Sequence, residues 1–436
     1  MATPIALQGV VSATLGFVDN LMVGALGESE LAAVGIATQI FFVHYLVMVG
    51  FSGGTATFFA QFFGTKDFIN IRKCLGFLVS VTMAVSVIFF VPTCFFPEKV
   101  AGIFTDNPKI IQLAASYIQI GSYTLFMLAF SVPIEFVLKA TQQTKIPMVV
   151  STVVFSTNTF LNFVLIFGNF GAPKLGVAGA ALATLIARFA EIFINLYVLV
   201  VRKNVVAGPF KEFLSYNKEL AGKIMRNAIP TVANETLWSL GQTMYVVAFA
   251  RIGVTDYAAY QAAAAVQSIF TFIGFSVGDA ALILIGEKLG QGDKDEAYYM
   301  AKKIVKAGIF VGVILGGLMM LTAGPLMGLF NISPLCKSYG TKILLVYGIT
   351  TWLSLYTGIH TTGTLRGGGD TTFAAINEIL CVWLIAVPLA FAGALWLHLP
   401  IFWVVLIVRF EDVVKGIVLT KRFLSKKWMN NMIEGI

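Results

Sequence analysis

Apolar runs of about 20 or more residues follow one another almost end to end, near 2–24, 31–62, 74–96, 111–140, 147–169, 176–201, 228–250, 255–286, 300–323, 338–365, 372–395 and 399–420. Each is long enough to cross a hydrocarbon layer of ~30 Å as a helix. The pattern therefore predicts an all-α membrane protein with twelve transmembrane helices. Polar positions inside the runs are few, and they are ordered. In residues 4–27, Gln8, Ser12 and Asp19 stand at i, i+4 and i+11, which is one stripe of a helix. A carboxylate at membrane depth costs at least ~2.5 to 3.5 kcal/mol on insertion scales. The stripe is thus expected to face a bundle interior or a watery cavity, with Asp19 marking an ion or substrate path.

The longest polar interruption falls between the sixth and seventh runs and carries six basic residues. It divides the chain into a lobe over 1–201, a linker over 202–226 and a second lobe over 227–436. Sliding the second half back by 226 residues sets Pro230 on Pro4, Gly253 on Gly27, and Gly290 and Asp293 on Gly64 and Asp67. Further along, Leu365-Arg366 lies against Leu138-Lys139 and Thr371 near Thr144. This is an internal duplication of six helices. Six is even, so both halves cross in the same orientation and are related by an axis along the membrane normal. Two such bundles around a central cavity that opens alternately to either side make a transporter architecture.

Composition agrees: 58% of residues are hydrophobic and 12% charged, at a mean hydropathy of +0.85. The net charge of +8 would suit nucleic acid, but its placement argues otherwise. Alternate connections and the C-terminal tail hold 21 Lys and Arg on one side, the remaining connections hold 6, and Arg188, Arg409 and Lys415 lie inside runs. The positive-inside rule makes the first set cytoplasmic and both termini internal, in an inner or plasma membrane. The first run lacks a basic leader and a cleavage site, so it reads as a retained span. With almost nothing ahead of Pro4, the natural chain is expected to begin earlier. The four cysteines have no metal-like spacing.

Several residues are candidates for chemistry. In the fifth run Asn158 and Asn162 form an i, i+4 pair, with Ser151 two turns earlier; their oxygens would complete a cation site with Asp19 if the first and fifth helices pack together. The bland alternative is a hydrogen-bond ladder between helices. Thr184 offers a hydroxyl, although GAALAT is equally a small-residue packing face. In the seventh run Glu235, Trp238, Gln242 and Tyr245 share one face, an acid able to exchange a proton beside aromatics that suit an organic cation. Gln8 and Gln39, with Trp238, Gln242 and Tyr245, are candidate cavity residues. A mostly apolar cavity with one or two acids fits lipophilic cations better than sugars. Arg188 with Glu191, and Arg409 with Glu411, Asp412 and Lys415, read as structural ion pairs.

An enzyme reading has one foothold. Residues 50–54 read GFSGG, a GxSxG pattern, with His44 and His360 as conceivable bases. The duplicate half carries GFSVG at 274–278, so the motif belongs to both bundles, as helix packing would. Gly367-Gly368-Gly369 follows a helix rather than a strand, and no Walker A motif occurs, so an ion gradient is the expected energy source.

At this point the chain resembles the multidrug and toxic compound extrusion (MATE) family across nearly its whole length. The resemblance rests on residues 4–27 with Asp19, LAAVGIATQI from Leu31, AQFFGTKD from Ala60, GEKLGQGD from Gly286, NTFLNFVLIFG from Asn158, GVAGAALATLIAR from Gly176 and TLRGGGDT from Thr364. It implies two six-helix lobes in a V around a central cavity, and extrusion of lipophilic cations in exchange for Na⁺ or H⁺; a monomer is the expected state. In the DinF-like branch, a helix 1 aspartate, two polar helix 5 residues and a helix 6 threonine form an ion site. Asp19, Asn158, Asn162 and Thr184 match them, with Asn162 where an aspartate is common. The helix 7 glutamate of the NorM-like branch matches Glu235, but its acidic partner on helix 10 is absent from 350–364. A flippase of lipid-linked precursors is the alternative; it would favour several free cations in the cavity.

Overall fold

The computed structural model describes residues 2–200, 204–330 and 332–435; the linker's first residues, Arg202 and Lys203, and the side chain of Ser12 lie outside the described set. Helix occupies each expected stretch: α1 (Ala2–Gly24), α2 (Glu28–Gly64), α3 (Phe68–Phe95), α4 (Pro108–Gly121 and Thr124–Ala140), α5 (Lys145–Phe167) and α6 (Val177–Val200). The second half follows with α7 (Lys218–Ala250), α8 (Val254–Gly290), α9 (Lys294–Gly328), α10 (Pro334–Gly358, continued by Ile359–Leu365), α11 (Thr371–Cys381, continued to Trp396) and α12 (Ile401–Val408 and Phe410–Leu424). No strand occurs among the described residues. Among the described residues, eight of these helices are long and apolar enough to cross a membrane singly, and α4 makes a ninth as a bent pair. Helix is the outcome expected where no water is at hand to satisfy backbone N–H and C=O groups.

The bend in α4 is 50°, within a stretch, 111–140, that the sequence pattern gives as one run. Gly121 lies against the Phe41 ring at the break, too close for a side chain. A second interruption is chemical. Pro133 has no N–H to give to the Ala129 carbonyl four residues back, and the Thr82 hydroxyl of α3 reaches that oxygen at 2.8 Å.

The chain forms two compact units. The first comprises residues 3–59 and 66–225, the second 60–65 and 226–436. The last turn of α2 thus belongs with the second unit. There Gly64 lies against the Glu287 carbonyl and Gly290 against that of Gln61, contacts that leave no room for a Cβ. Three residues beyond each glycine comes an aspartate with one job in both halves. Asp67 accepts from the Asn70 amide at 3.0 Å and Asp293 from the Glu296 amide at 2.9 Å, capping α3 and α9 with nearly the same backbone angles. The repeated Gly and Asp are therefore a crossing point and a helix cap.

The linker is not a free spacer. Its short helix Phe210–Leu214 lies across the start of α3, with the Phe213 carbonyl over Gly76 and Arg72 bound to Glu212 and, at 3.0 Å, to the Ala207 carbonyl.

Candidate functional site

In the first unit α1, α5 and α6 bring four polar side chains together. Asn162 Nδ2 donates to Asp19 Oδ1 at 2.6 Å and to Asn158 Oδ1 at 2.9 Å. Asn158 Nδ2 donates to Thr184 Oγ1 at 3.1 Å, and that hydroxyl donates to the Ala180 carbonyl one turn earlier on α6. The i, i+4 spacing on α5 is what lets one amide serve both its neighbour and the acid on another helix. Asn158 and Asn162 are almost fully buried.

One turn along each helix, Val23, Ile166 and Ala180 enter a single buried apolar cluster with Val34 and Ala181. That packing keeps one side of the site dry, where a charge interacts more strongly than in water. Tyr117 of α4 joins from the same cluster. Sequence reasoning missed it, because nothing in the spacing of α4 distinguishes Tyr117 from the apolar residues around it.

The hydrogen-bond pattern leaves one group over. Asn162 spends both amide hydrogens, while its Oδ1 is buried without a hydrogen-bond partner. An unpaired buried acceptor costs about 1–3 kcal/mol. Beside it stand a carboxylate, an amide oxygen and a hydroxyl, all hard oxygen donors of the kind that hold Na⁺; a proton on Asp19 is the other way to neutralise the group.

The other candidates are placed differently. Gln8 is buried, with Oε1 lacking a partner, and Gln39 is exposed. Glu235 does not stand alone: Arg366 Nη2 donates to its Oε1 at 2.8 Å. Trp238 packs on the large apolar cluster of the second unit, to which buried Tyr245 also belongs; the Tyr245 hydroxyl donates to Glu411 at 3.4 Å. Gln242 is half-buried on the same helix.

A cluster around Lys415 is only partly visible in the sequence. Its Nζ lies 2.8 Å from Glu378 of α11 and 3.9 Å from both Glu411 and Asp412, while Ser354 and Thr357 of α10 donate to Asp412. Glu378 is the member that sequence reasoning missed, and its signal is a lone carboxylate in an otherwise apolar helix. The serine chemistry has no structural basis: His44 is bonded to Ser86 at 2.7 Å, His360 to Thr364 at 3.0 Å, and Ser52 Oγ has no partner.

The MatE family model matches the chain twice, over residues 4–164 and 230–392, with the two starts separated by the offset of the internal repeat. The chain belongs to the MATE family. Members of this family are membrane transporters and not enzymes. Its relatives include a probable multidrug resistance protein NorM of Thermotoga maritima, 25% identical over 98% of this chain and 92% of that one. The multidrug resistance protein NorM of Vibrio cholerae is 25% identical over 89% of this chain and 85% of its own. Among solved structures, a MATE transporter crystallised with MaL6 superposes with a TM-score of 0.88 at 17% identity, covering 98% of this chain and 96% of that one. At that identity the likeness carries the fold alone, and the fold is that of the MATE transporters.

Proposed function

We propose that this MATE protein is a cation-coupled antiporter that extrudes lipophilic, mostly cationic compounds by alternating access, with Asp19, Asn158, Asn162 and Thr184 as the seat of the coupling ion. The observation that carries the reading is the buried, unpartnered Asn162 Oδ1 beside the Asp19 carboxylate. Na⁺ taken between these oxygens, or a proton on Asp19, removes a net charge from a dry helix interface. Binding then favours one arrangement of α1 against α5 and α6 over another, and a few kcal/mol of such preference is enough to move a population from one access state to the other. The carboxylates and aromatic surfaces suit cationic substrates. A phosphate-bearing substrate is less well served, because Arg188, Arg366 and Arg409 each face an acid, at 2.7, 2.8 and 3.5 Å. Residence in the cell membrane with both termini inside follows from the charge asymmetry of the loops.

The test is efflux of a fluorescent lipophilic cation from proteoliposomes under a Na⁺ gradient or a pH gradient imposed separately. One gradient should drive efflux, and Asp19→Asn should abolish it at normal membrane abundance. Retained efflux in Asp19→Asn would overturn the assignment of the seat. A dye that moves under neither gradient would overturn the substrate class.

A further inference from the structure

Near its start, α9 carries two pairs of tyrosine and lysine at i, i+4. Lys302 Nζ lies 4.5 Å from the centre of the Tyr298 ring, and Lys303 Nζ 4.2 Å from that of Tyr299. Such pairs are ordinary neighbours on one helix. The unusual contact comes from far along the chain: Lys426, just past the end of α12, stands 4.7 Å from the same Tyr298 ring. Its backbone is left-handed, with φ 57°, at a helix end where glycine or asparagine is usual.

Tyr298 is fixed where it stands. Its ring stacks on Phe423 at 5.2 Å, and Phe423 stacks on the fully buried Trp428 at 5.7 Å. Phe423 takes one face of the tyrosine, so the Lys302 and Lys426 ammonium groups share the other. Like charges brought together in this way repel, and the ring offsets the repulsion only in part. Among the described residues neither lysine forms an ion pair, although Asp295 and Glu296 lie in the first turn of the same helix. Arg422, one turn before Lys426, is by contrast held by Asp370 at 2.6 Å. The two lysines are an arrangement without its anion.

The surroundings indicate which anion. Lys302, Lys303, Lys306, Lys421, Lys426 and Lys427 are all exposed. Along α9 the exposed positions then pass from Lys306 to Phe310, Val313 and Ile314, which are 67%, 57% and 46% exposed. The outward face is therefore basic near the end of the span and apolar beyond it, as a helix is where it passes from lipid headgroups into hydrocarbon. A soluble anion has a use for the lysines alone. An anionic phospholipid uses both parts of the face.

We propose that Lys302 and Lys426 bind the phosphate of an anionic phospholipid whose acyl chain lies along Phe310 and Val313, and that the bound lipid ties the segment after α12 to α9. The site depends on residence in a membrane and not on the identity of the coupling ion.

The experiment titrates the purified protein in neutral detergent with phosphatidylglycerol or phosphatidylcholine of the same acyl chains and counts bound lipid by native mass spectrometry. The variants are Lys302→Gln with Lys426→Gln, Lys302→Arg with Lys426→Arg, and Lys211→Gln with Lys218→Gln, which removes two exposed lysines elsewhere. Wild type should prefer phosphatidylglycerol, and the first variant should bind it about thirtyfold more weakly with phosphatidylcholine binding unchanged. The arginine pair keeps both charges and should retain the preference, which guards against a loss caused by misfolding; the Lys211 and Lys218 variant should match wild type. Equal binding of the two lipids by wild type, an equal loss in the Lys211 and Lys218 variant, or loss of the preference in the arginine pair would overturn the site. Glycerol 3-phosphate, a headgroup without chains, should bind far more weakly than phosphatidylglycerol; binding as tight would make the ligand a soluble anion and overturn the lipid.

Discussion

The Asn162 amide donates to the Asp19 carboxylate at 2.6 Å while its own carbonyl oxygen stays buried and unbonded. One side chain thus both fixes the acid and offers a vacant donor to a cation. The two roles separate by substitution. Asn162→Ala removes both, leaves Asp19 without its donor at a cost of about 1–3 kcal/mol, and should cut dye efflux at least about tenfold. Asn162→Asp keeps an oxygen and adds a charge, so it should retain efflux and shift its dependence toward lower Na⁺ or H⁺ concentration. Gradient-driven efflux at varied external cation measures both.

Glu235 and Arg366 form an ion pair whose two side chains are largely buried. Breaking a buried pair from one side costs about 3–5 kcal/mol, because it strands the other charge. Glu235→Gln and Arg366→Gln should each lower membrane abundance or thermal stability, and the double substitution should restore more than half of the loss. Efflux from the double variant then tells whether Glu235 does more than neutralise Arg366. Recovery of both stability and transport assigns it a structural role, and recovery of stability alone assigns it a part in coupling.

These two sites show what is legible in the sequence. Asp19 is visible as an isolated acid in an apolar run, and Asn158 with Asn162 as a helical pair, because their information is local and periodic. The partner of Glu235 is not, since Arg366 lies 131 residues away on another helix. Glu378 meets Lys415 across 37 residues and stays hidden for the same reason. The break in α4 is concealed because Gly121, Ser122 and Tyr123 dilute the apolar run too little to end it, and the Phe41 ring that lies against Gly121 there belongs to another helix. Periodicity reports which face a helix buries and is silent on what meets it there.

Gly64 and Gly290 predict a steep steric penalty. Each faces a backbone carbonyl, Glu287 and Gln61 respectively, which cannot rotate aside as a side chain would. Gly64→Val or Gly290→Val forces the ends of α2 and α8 apart and should cost well over the ~1–3 kcal/mol typical of core overpacking. Gly317, in the middle of α9, has open space where a Cβ would project, so Gly317→Ala should be neutral or stabilising by up to about 1 kcal/mol. Melting of the purified variants in detergent makes the comparison.

The segment after α12 is held in place by Gln61, whose amide pairs twice with tail backbone: Nε2 donates to the Asn430 carbonyl at 3.0 Å and Oε1 accepts from the Met432 amide at 2.7 Å. Asn430 also donates to the Gly368 carbonyl, from its backbone at 3.0 Å and from its side chain at 3.1 Å. Trp428 is fully buried, its ring stacked on Phe423 and its indole N–H bonded to the Phe423 carbonyl. Two kinds of anchoring can therefore be distinguished. Trp428→Ala removes packing and should cost about 3–5 kcal/mol, loosening α12 as well as the tail. Gln61→Ala removes only the two hydrogen bonds, about 1 kcal/mol each, and leaves Trp428 seated. Limited trypsin digestion at Lys426 and Lys427 should accelerate strongly in Trp428→Ala and only a few-fold in Gln61→Ala. Equal acceleration in the two would mean that the Gln61 clip, and not the buried indole, holds the tail to the second unit.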